Sequence, residues 1–305
     1  MFRVLKWLLL VALIAAVLLV AAAYLWVSRP LPLRATSVEN GVAVTDVAVP
    51  PGASATAVAR ALVNAGVEVP AWQLMIGFRL SGQGREIKAG SYEIVQGTTP
   101  QRLLQQLVRG EQALRRLTLV EGWNYRQVLA TLQQADHLLY DLPNDAAQNP
   151  AGLMKALNLT ATHPEGRFFP DTYTYPKNST ASNLLKQAAK AMEQALETAW
   201  AQRHPDLPLK TPQEALILAS VVEKETGSAA DRGQIAGVFA NRLRTGMRLQ
   251  TDPTVIYGLG AGFDGNLRKR DLQTDTPYNT YTRSGLPPTP IAMPGRAALQ
   301  AATQP

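Results

Sequence analysis

The chain has 305 residues, 46% hydrophobic and 17% charged, with a formal net charge of +7; this length accommodates two globular units and the composition excludes disordered and fibrous classes. It has no cysteine, which excludes disulfides, thiolate nucleophiles and Cys-ligated zinc, and its three histidines, His137, His163 and His204, lack metal-site spacing. Acid/base chemistry therefore falls to carboxylates, tyrosines or lysines. The basic balance fits a membrane surface or an acidic polymer, since no Arg/Lys-rich helix or RNA-type aromatic motif points to nucleic acid.

Residues 7–27, "WLLLVALIAAVLLVAAAYLWV", are uncharged and of bilayer-spanning length. Arg3 and Lys6 precede them, and Trp7, Tyr24 and Trp26 stand near the ends, where amphipathic rings favour the interface. The stretch exceeds the roughly 7 to 15 apolar residues of a cleaved signal peptide. An uncleaved anchor over 1–28 is expected, N-terminus in the cytoplasm and the rest outside. Arg29 and Arg34 count slightly against that orientation.

A Pro-rich linker, 29–42, leads to a small unit over 43–112. Alternation in "VAVTDVAVP" predicts a strand, "ATAVARALVNAG" a helix closed by Gly66, "PAWQLMIGFRLSG" a second helix and "KAGSYEIV" a strand. Thr99 and Pro100 then open a helix that Gly110 ends. The βααβ order resembles a LysM-like module, a type that binds amino-sugar polymers; a plain spacer is the alternative.

Residues 113–305 read as a mixed α/β domain, giving an α+β class for the whole chain. Asn124 caps a helix, and "EGRFFPDTYTYP" reads as a loop packed on the scaffold rather than regular structure. A long helix, "ASNLLKQAAKAMEQALETAWAQR", follows. Thr211, Pro212 and Glu214 then form a capping box with proline at the first helical position. The next eight residues, Ala215 to Val222, are apolar almost all round, which predicts an enclosed helix.

Glu223 ends that run on the face of Leu216 and Ser220, while Glu225 looks elsewhere. A carboxyl in apolar surroundings holds its proton towards neutral pH, as a general acid must. The alternatives are that Glu223 emerges into solvent or pairs with Arg232 or Arg242. Ser220 and Lys224 lack the Ser-x-x-Lys spacing of serine acyltransferases, so Ser220 reads as part of the wall. A second amphipathic helix, with Ser228 as N-cap, buries Ile235, Val238, Phe239 and Leu243 and stops at Gly246. Tyr and Asn on the proline-stiffened loops that follow suit a sugar-binding lining or plain packing.

Taken together, "EGRFFPDTY" (165–173), "LASVVEKET" (218–226), "VFANRL" (238–243), "LQTDPTVIYG" (249–258), "TPYNTY" (276–281) and "GLPPTPIAMPG" (285–295) resemble the endolytic murein transglycosylase family, the YceG-like proteins. Order and spacing agree over most of the chain, anchor and LysM-like unit included. The resemblance implies that Glu223 protonates the glycosidic oxygen between N-acetylmuramic acid and N-acetylglucosamine. It then accepts the C6 hydroxyl proton, leaving a 1,6-anhydro end without water. No cofactor or metal is implied. Ser220, Asn241, Gln250, Thr251, Asp252, Tyr278 and Asn279 are the expected substrate or transition-state contacts, and Asp252, assigned to shaping the cleft, is the candidate for a second carboxylate.

The expected setting is the outer side of the cytoplasmic (inner) membrane, on nascent peptidoglycan strands whose length it limits, beside peptidoglycan synthases and without nucleic acid. A noncatalytic cell-wall scaffold and a hydrolytic muramidase are the alternatives. The family pattern continues past the Pro-Gly segment into an aromatic and His-rich strand region, whereas this sequence stops at "ALQAATQP". An incomplete catalytic sheet is therefore expected.

Overall fold

The computed structural model describes residues 2–39 and 41–305; Met1 of the expected stub and Asn40 of the expected linker lie outside the described residues. The chain divides into two compact units, Met1–Leu114 and Arg115–Pro305. The first begins with α1 (Phe2–Ser28). Its stretch Leu5–Ser28, 24 residues with a mean hydropathy of 3.0, is long and apolar enough to cross a membrane.

The segment read as a linker is packed onto the first unit. Leu31 is buried and donates its N–H to the Thr98 carbonyl at 2.8 Å, and Leu33 bridges Val67. Strand β1 (Ser37–Glu39) pairs antiparallel with β2 (Val42–Val49). Helices α2 (Ala55–Ala65) and α3 (Ala71–Leu80) follow, and β3 (Gly90–Val95) returns antiparallel to β2. The strand, helix, helix, strand order read from periodicity is present.

Local chemistry sets these boundaries. Ser54 accepts from the Ala57 N–H to start α2, and Gly66 ends it at φ +127°, a backbone region that strains residues with a Cβ. Thr99 and Pro100 open α4 (Pro100–Arg109), which Gly110 closes in the left-handed region. Val58, Leu62, Leu74, Phe78, Ile94 and Leu103 form the core.

The second unit takes up β4 (Leu114–Thr118) from Arg115 onward and continues to α5 (Tyr125–Gln133), whose Asn124–Gln127 capping box is complete. Then come β5 (Leu138–Leu139), α6 (Pro150–Ala156), β6 (Thr172–Pro176), β7 (Ser179–Thr180) and α7 (Ala181–Ala201). Strand β4 pairs with β6, and β5 lies parallel to β7. Strand β6 departs from the expected loop. Tyr173 and Tyr175 are buried between exposed threonines, a period of two that the neighbouring prolines mask in the sequence.

Helix α8 (Pro212–Glu225) is enclosed by packing against α7, α9 (Arg232–Arg244) and, near the end of the chain, α12 (Arg296–Thr303), with α10 (Asp252–Leu259) and the short α11 (Lys269–Gln273) in between along the chain. All eight residues from Ala215 to Val222 are buried. Thr211 caps α8 by accepting from the Glu214 N–H, but the Glu214 carboxylate reaches back to the Lys210 N–H instead of that of Thr211. Ser228 does not cap α9. It lies in the turn after α8, its N–H donated to Thr226 Oγ1, and Asp231 holds the cap position. Val238 is exposed, so the buried stripe of α9 runs through Ala236, Phe239 and Ala240. The last residues form α12, with Leu299 and Ala302 buried in the α8 core.

Candidate active site

Burial of the α8 face leaves Glu223 at the point where the helix meets two loops. Its Oε2 accepts the Gly295 N–H at 2.9 Å, at the N-cap position of α12. Burial is the largest influence on this carboxyl and pushes its pKa up. The Gly295 hydrogen bond opposes the rise, the neighbouring Glu121 charge adds to it, and Arg232 and Lys224 pull the other way.

Glu121 converges on the same spot. A Cβ placed on Gly295 would overlap the Glu121 carboxyl group, so glycine there lets one carboxylate lie over its Cα while the other takes its N–H. Two carboxylates thus share one backbone residue. Sequence reasoning passed over Glu121, which stands in "VEGWNYRQV" with no apolar face to mark it.

A cleft of about 500 Å³ is lined by Gly122 and Lys224, the chain neighbours of Glu121 and Glu223, and by Asn124, Arg126, Tyr257, Phe263 and Ile291. Glu223 stands at its edge, next to Gly122, and Lys224 donates to the Gly122 carbonyl at 3.3 Å. Tyr257 is tied to a second missed carboxyl. Glu165, fully buried, accepts the Tyr257 hydroxyl at 2.9 Å and the Tyr125 N–H at 3.0 Å. Burial pushes its pKa up to about 8 against the pull of those hydrogen bonds. Gly166, at φ +75°, lies so close to Pro290 that a Cβ would overlap the proline ring. This contact fixes the 290–292 loop against the cleft wall.

The other expected contacts separate into groups. Ser220 is buried, donates to the Ile217 carbonyl at 2.7 Å and accepts the Ile291 N–H at 3.0 Å, so it pins the loop whose Ile291 lines the cleft. Thr251 donates to Glu225 Oε2 at 2.5 Å, which gives Glu225 a place at the start of α10. Gln250 sits at φ +50° and donates its N–H to the Thr280 carbonyl. Asp252 accepts the Tyr281 hydroxyl at 2.6 Å. Tyr278 packs edge-on to Tyr257, with ring centroids 4.9 Å apart, and its hydroxyl meets that of Thr289.

Asn279 is fully buried, and its amide donates to the carbonyls of Asp271, Leu272 and Thr274, which ties its loop to the end of α11. Asn241 bonds Arg244 in a separate small pocket with His204 and Asp206. Arg242, weighed as a partner for Glu223, is engaged by the Leu249 carbonyl. Among the described residues no group of three or more His, Cys, Asp or Glu is placed to hold a metal ion.

A half-buried helix-end carboxyl, a second carboxylate and tyrosines gathered at one cleft make it the candidate site for carboxylate-dependent chemistry. Residues 47–305 match the YceG-like family. The chain is 31% identical over 281 residues to the endolytic murein transglycosylase of Bacillus subtilis (strain 168), covering 84% of this chain and 74% of that one. It is 30% identical over 246 residues to the protein of that name from Streptococcus pneumoniae (strain ATCC BAA-255 / R6), covering 70% of this chain but 44% of that one. A crystal structure of a YceG-like protein from Listeria monocytogenes superposes with a TM-score of 0.51 at 27% identity, covering 86% and 90% of the two chains. The chain belongs to the YceG-like family.

Proposed function

We propose that this protein is a membrane-anchored endolytic transglycosylase that cuts peptidoglycan glycan strands, with Glu223 as its acid and base. The observation that carries the role of Glu223 is its position: a half-buried carboxyl with a raised pKa at the edge of a cleft, oriented by the Gly295 N–H. Protonated Glu223 donates to the glycosidic oxygen as the bond to C1 of N-acetylmuramic acid breaks. The resulting Glu223 carboxylate takes the C6 hydroxyl proton as that oxygen closes on C1. The proton given is thereby recovered, and water is not consumed. Relatives named endolytic murein transglycosylase support this reaction.

Glu121 has two effects in this reading. Its negative charge keeps the proton on Glu223 before reaction and stabilises the positive charge that develops at C1 during it. The LysM-like unit holds glycan, α1 anchors the chain with its N-terminus in the cytoplasm, and the +7 charge suits strands bearing carboxylate peptide stems. Peptidoglycan synthases working at the same membrane face are the expected partners.

A hydrolytic muramidase is the second reading, favoured by the meeting of two carboxylates at Gly295, since hydrolytic glycosidases use such a pair. Under both readings Glu223→Gln removes the acid and lowers cleavage by about 10²-fold or more. The direct test is mass spectrometry of fragments released from purified glycan strands, beside a pull-down on the same strands. Anhydro-ended fragments that vanish in the variant, with binding retained, are the expected outcome. Undiminished cleavage by the variant removes Glu223 from its role.

A further inference from the structure

Helix α3 presents three faces, of which two have partners. Leu74 and Phe78 are buried in the core of the first unit. Gln73 and Gly77 face the last turn of α1: Trp26 Nε1 donates to Gln73 Oε1 at 3.2 Å, and a Cβ on Gly77 would stand 3.3 Å from the Trp26 ring. The third face carries Trp72, Ile76 and Leu80, which are 58%, 41% and 83% exposed. Their four-residue spacing sets them in one stripe, and at about 100° per residue the stripe adjoins the face that Trp26 covers. Folding alone gives no reason for it.

The level of this stripe follows from α1. At about 1.5 Å per residue the 24 residues of Leu5–Ser28 are about 36 Å long, against roughly 30 Å of hydrocarbon. Val20, Ala23 and Val27 line a cavity of about 620 Å³ together with Gly77 and Phe78 of α3 and Leu104 of α4. The folded part of the unit therefore flanks α1 down to Val20, roughly 12 Å below Ser28. With about 6 Å of helix in excess, the span leaves the hydrocarbon about 3 to 6 Å below Ser28, so the part of the unit that flanks α1 reaches from the headgroups into the outer hydrocarbon. Arg29, at the end of the span, and Arg79, beside the stripe, are both exposed and suit lipid phosphates at the same level.

We propose that α3 is an interfacial helix, its Trp72–Ile76–Leu80 stripe seated in the lipid leaflet around the C-terminal end of α1. The occupant of this face is a phospholipid surface, which holds the small unit against the bilayer instead of letting it swing on the anchor. The inference rests on α1 being a membrane anchor, and it is independent of the reaction run by the second unit.

The absence of cysteine permits clean single-site labelling of the full chain. Spin labels would be placed at Ile76→Cys and Leu80→Cys, with Leu13→Cys in mid-span and Arg60→Cys on the exposed side of α2 as references. The protein is reconstituted in phosphatidylethanolamine and phosphatidylglycerol vesicles, and relaxation by oxygen is compared with relaxation by a water-soluble nickel chelate. The proposal expects positions 76 and 80 to share the oxygen preference of position 13, at shallower depth, while position 60 is nickel-accessible. Nickel access at 76 and 80 equal to that at 60, with 13 still in lipid, overturns it. Nickel access at 13 overturns the anchor reading and the proposal with it. Protection at 76 and 80 that appears only when glycan strands are added also overturns it, in favour of a sugar-binding face.

Discussion

Glu121 and Glu223 both reach Gly295, one over its Cα and the other on its N–H, and their proximity has a measurable sign. The Glu121 charge raises the pKa of Glu223, so Glu121→Gln lowers it. The alkaline limb of the pH profile of kcat/KM, which reports loss of the acid's proton, then moves to lower pH. An unmoved limb shows that the two carboxylates do not interact. Glu165 titrates in the interior instead. With a folded pKa of about 8, it keeps its proton between about pH 4.5 and 8, where the unfolded chain has lost it. Its contribution is complete below that window and is lost as pH rises through it, a fall of a few kcal/mol. Urea denaturation at pH 5 and pH 8 checks this. Glu165→Gln flattens the dependence, and a variant with the wild-type slope contradicts it.

The local ends of the elements were legible in the sequence because they are written in neighbouring residues. Thr99, Asn124 and Thr211 all accept the backbone N–H three residues on, and Gly66 and Gly110 close their helices. The apolar run from Ala215 to Val222 announced a buried helix for the same reason. The partners that meet this helix end, Glu121 and Gly295, stand 102 and 72 residues away from Glu223, and no period records such distances. Asn279 shows a converse limit: an amide in a Tyr- and Thr-rich loop suggests sugar binding, yet here it bonds three carbonyls at the end of α11. Ser220 has a testable part in joining elements. Ser220→Ala leaves the Ile291 N–H without its acceptor, costing about 1 to 3 kcal/mol and loosening the loop at the cleft. The denaturation midpoint measures the cost, and an unchanged midpoint contradicts it.

At the scale of the whole molecule the two units divide the proposed work. The first joins an apolar helix to a small βααβ unit, and the second holds every carboxyl group of the candidate site. The family match begins at residue 47, within β2, and runs through both units to residue 305. The central claim is that the second unit cleaves glycan without water, using a carboxyl that returns its own proton balance. Digestion of purified glycan strands in water enriched in oxygen-18, read by mass spectrometry of the new ends, tests it most directly. The account predicts anhydro ends that carry no label and lie about 18 Da below hydrolytic ends made in ordinary water. Reducing ends labelled with oxygen-18 would contradict it and make the Glu121–Glu223 pair the machinery of a hydrolase.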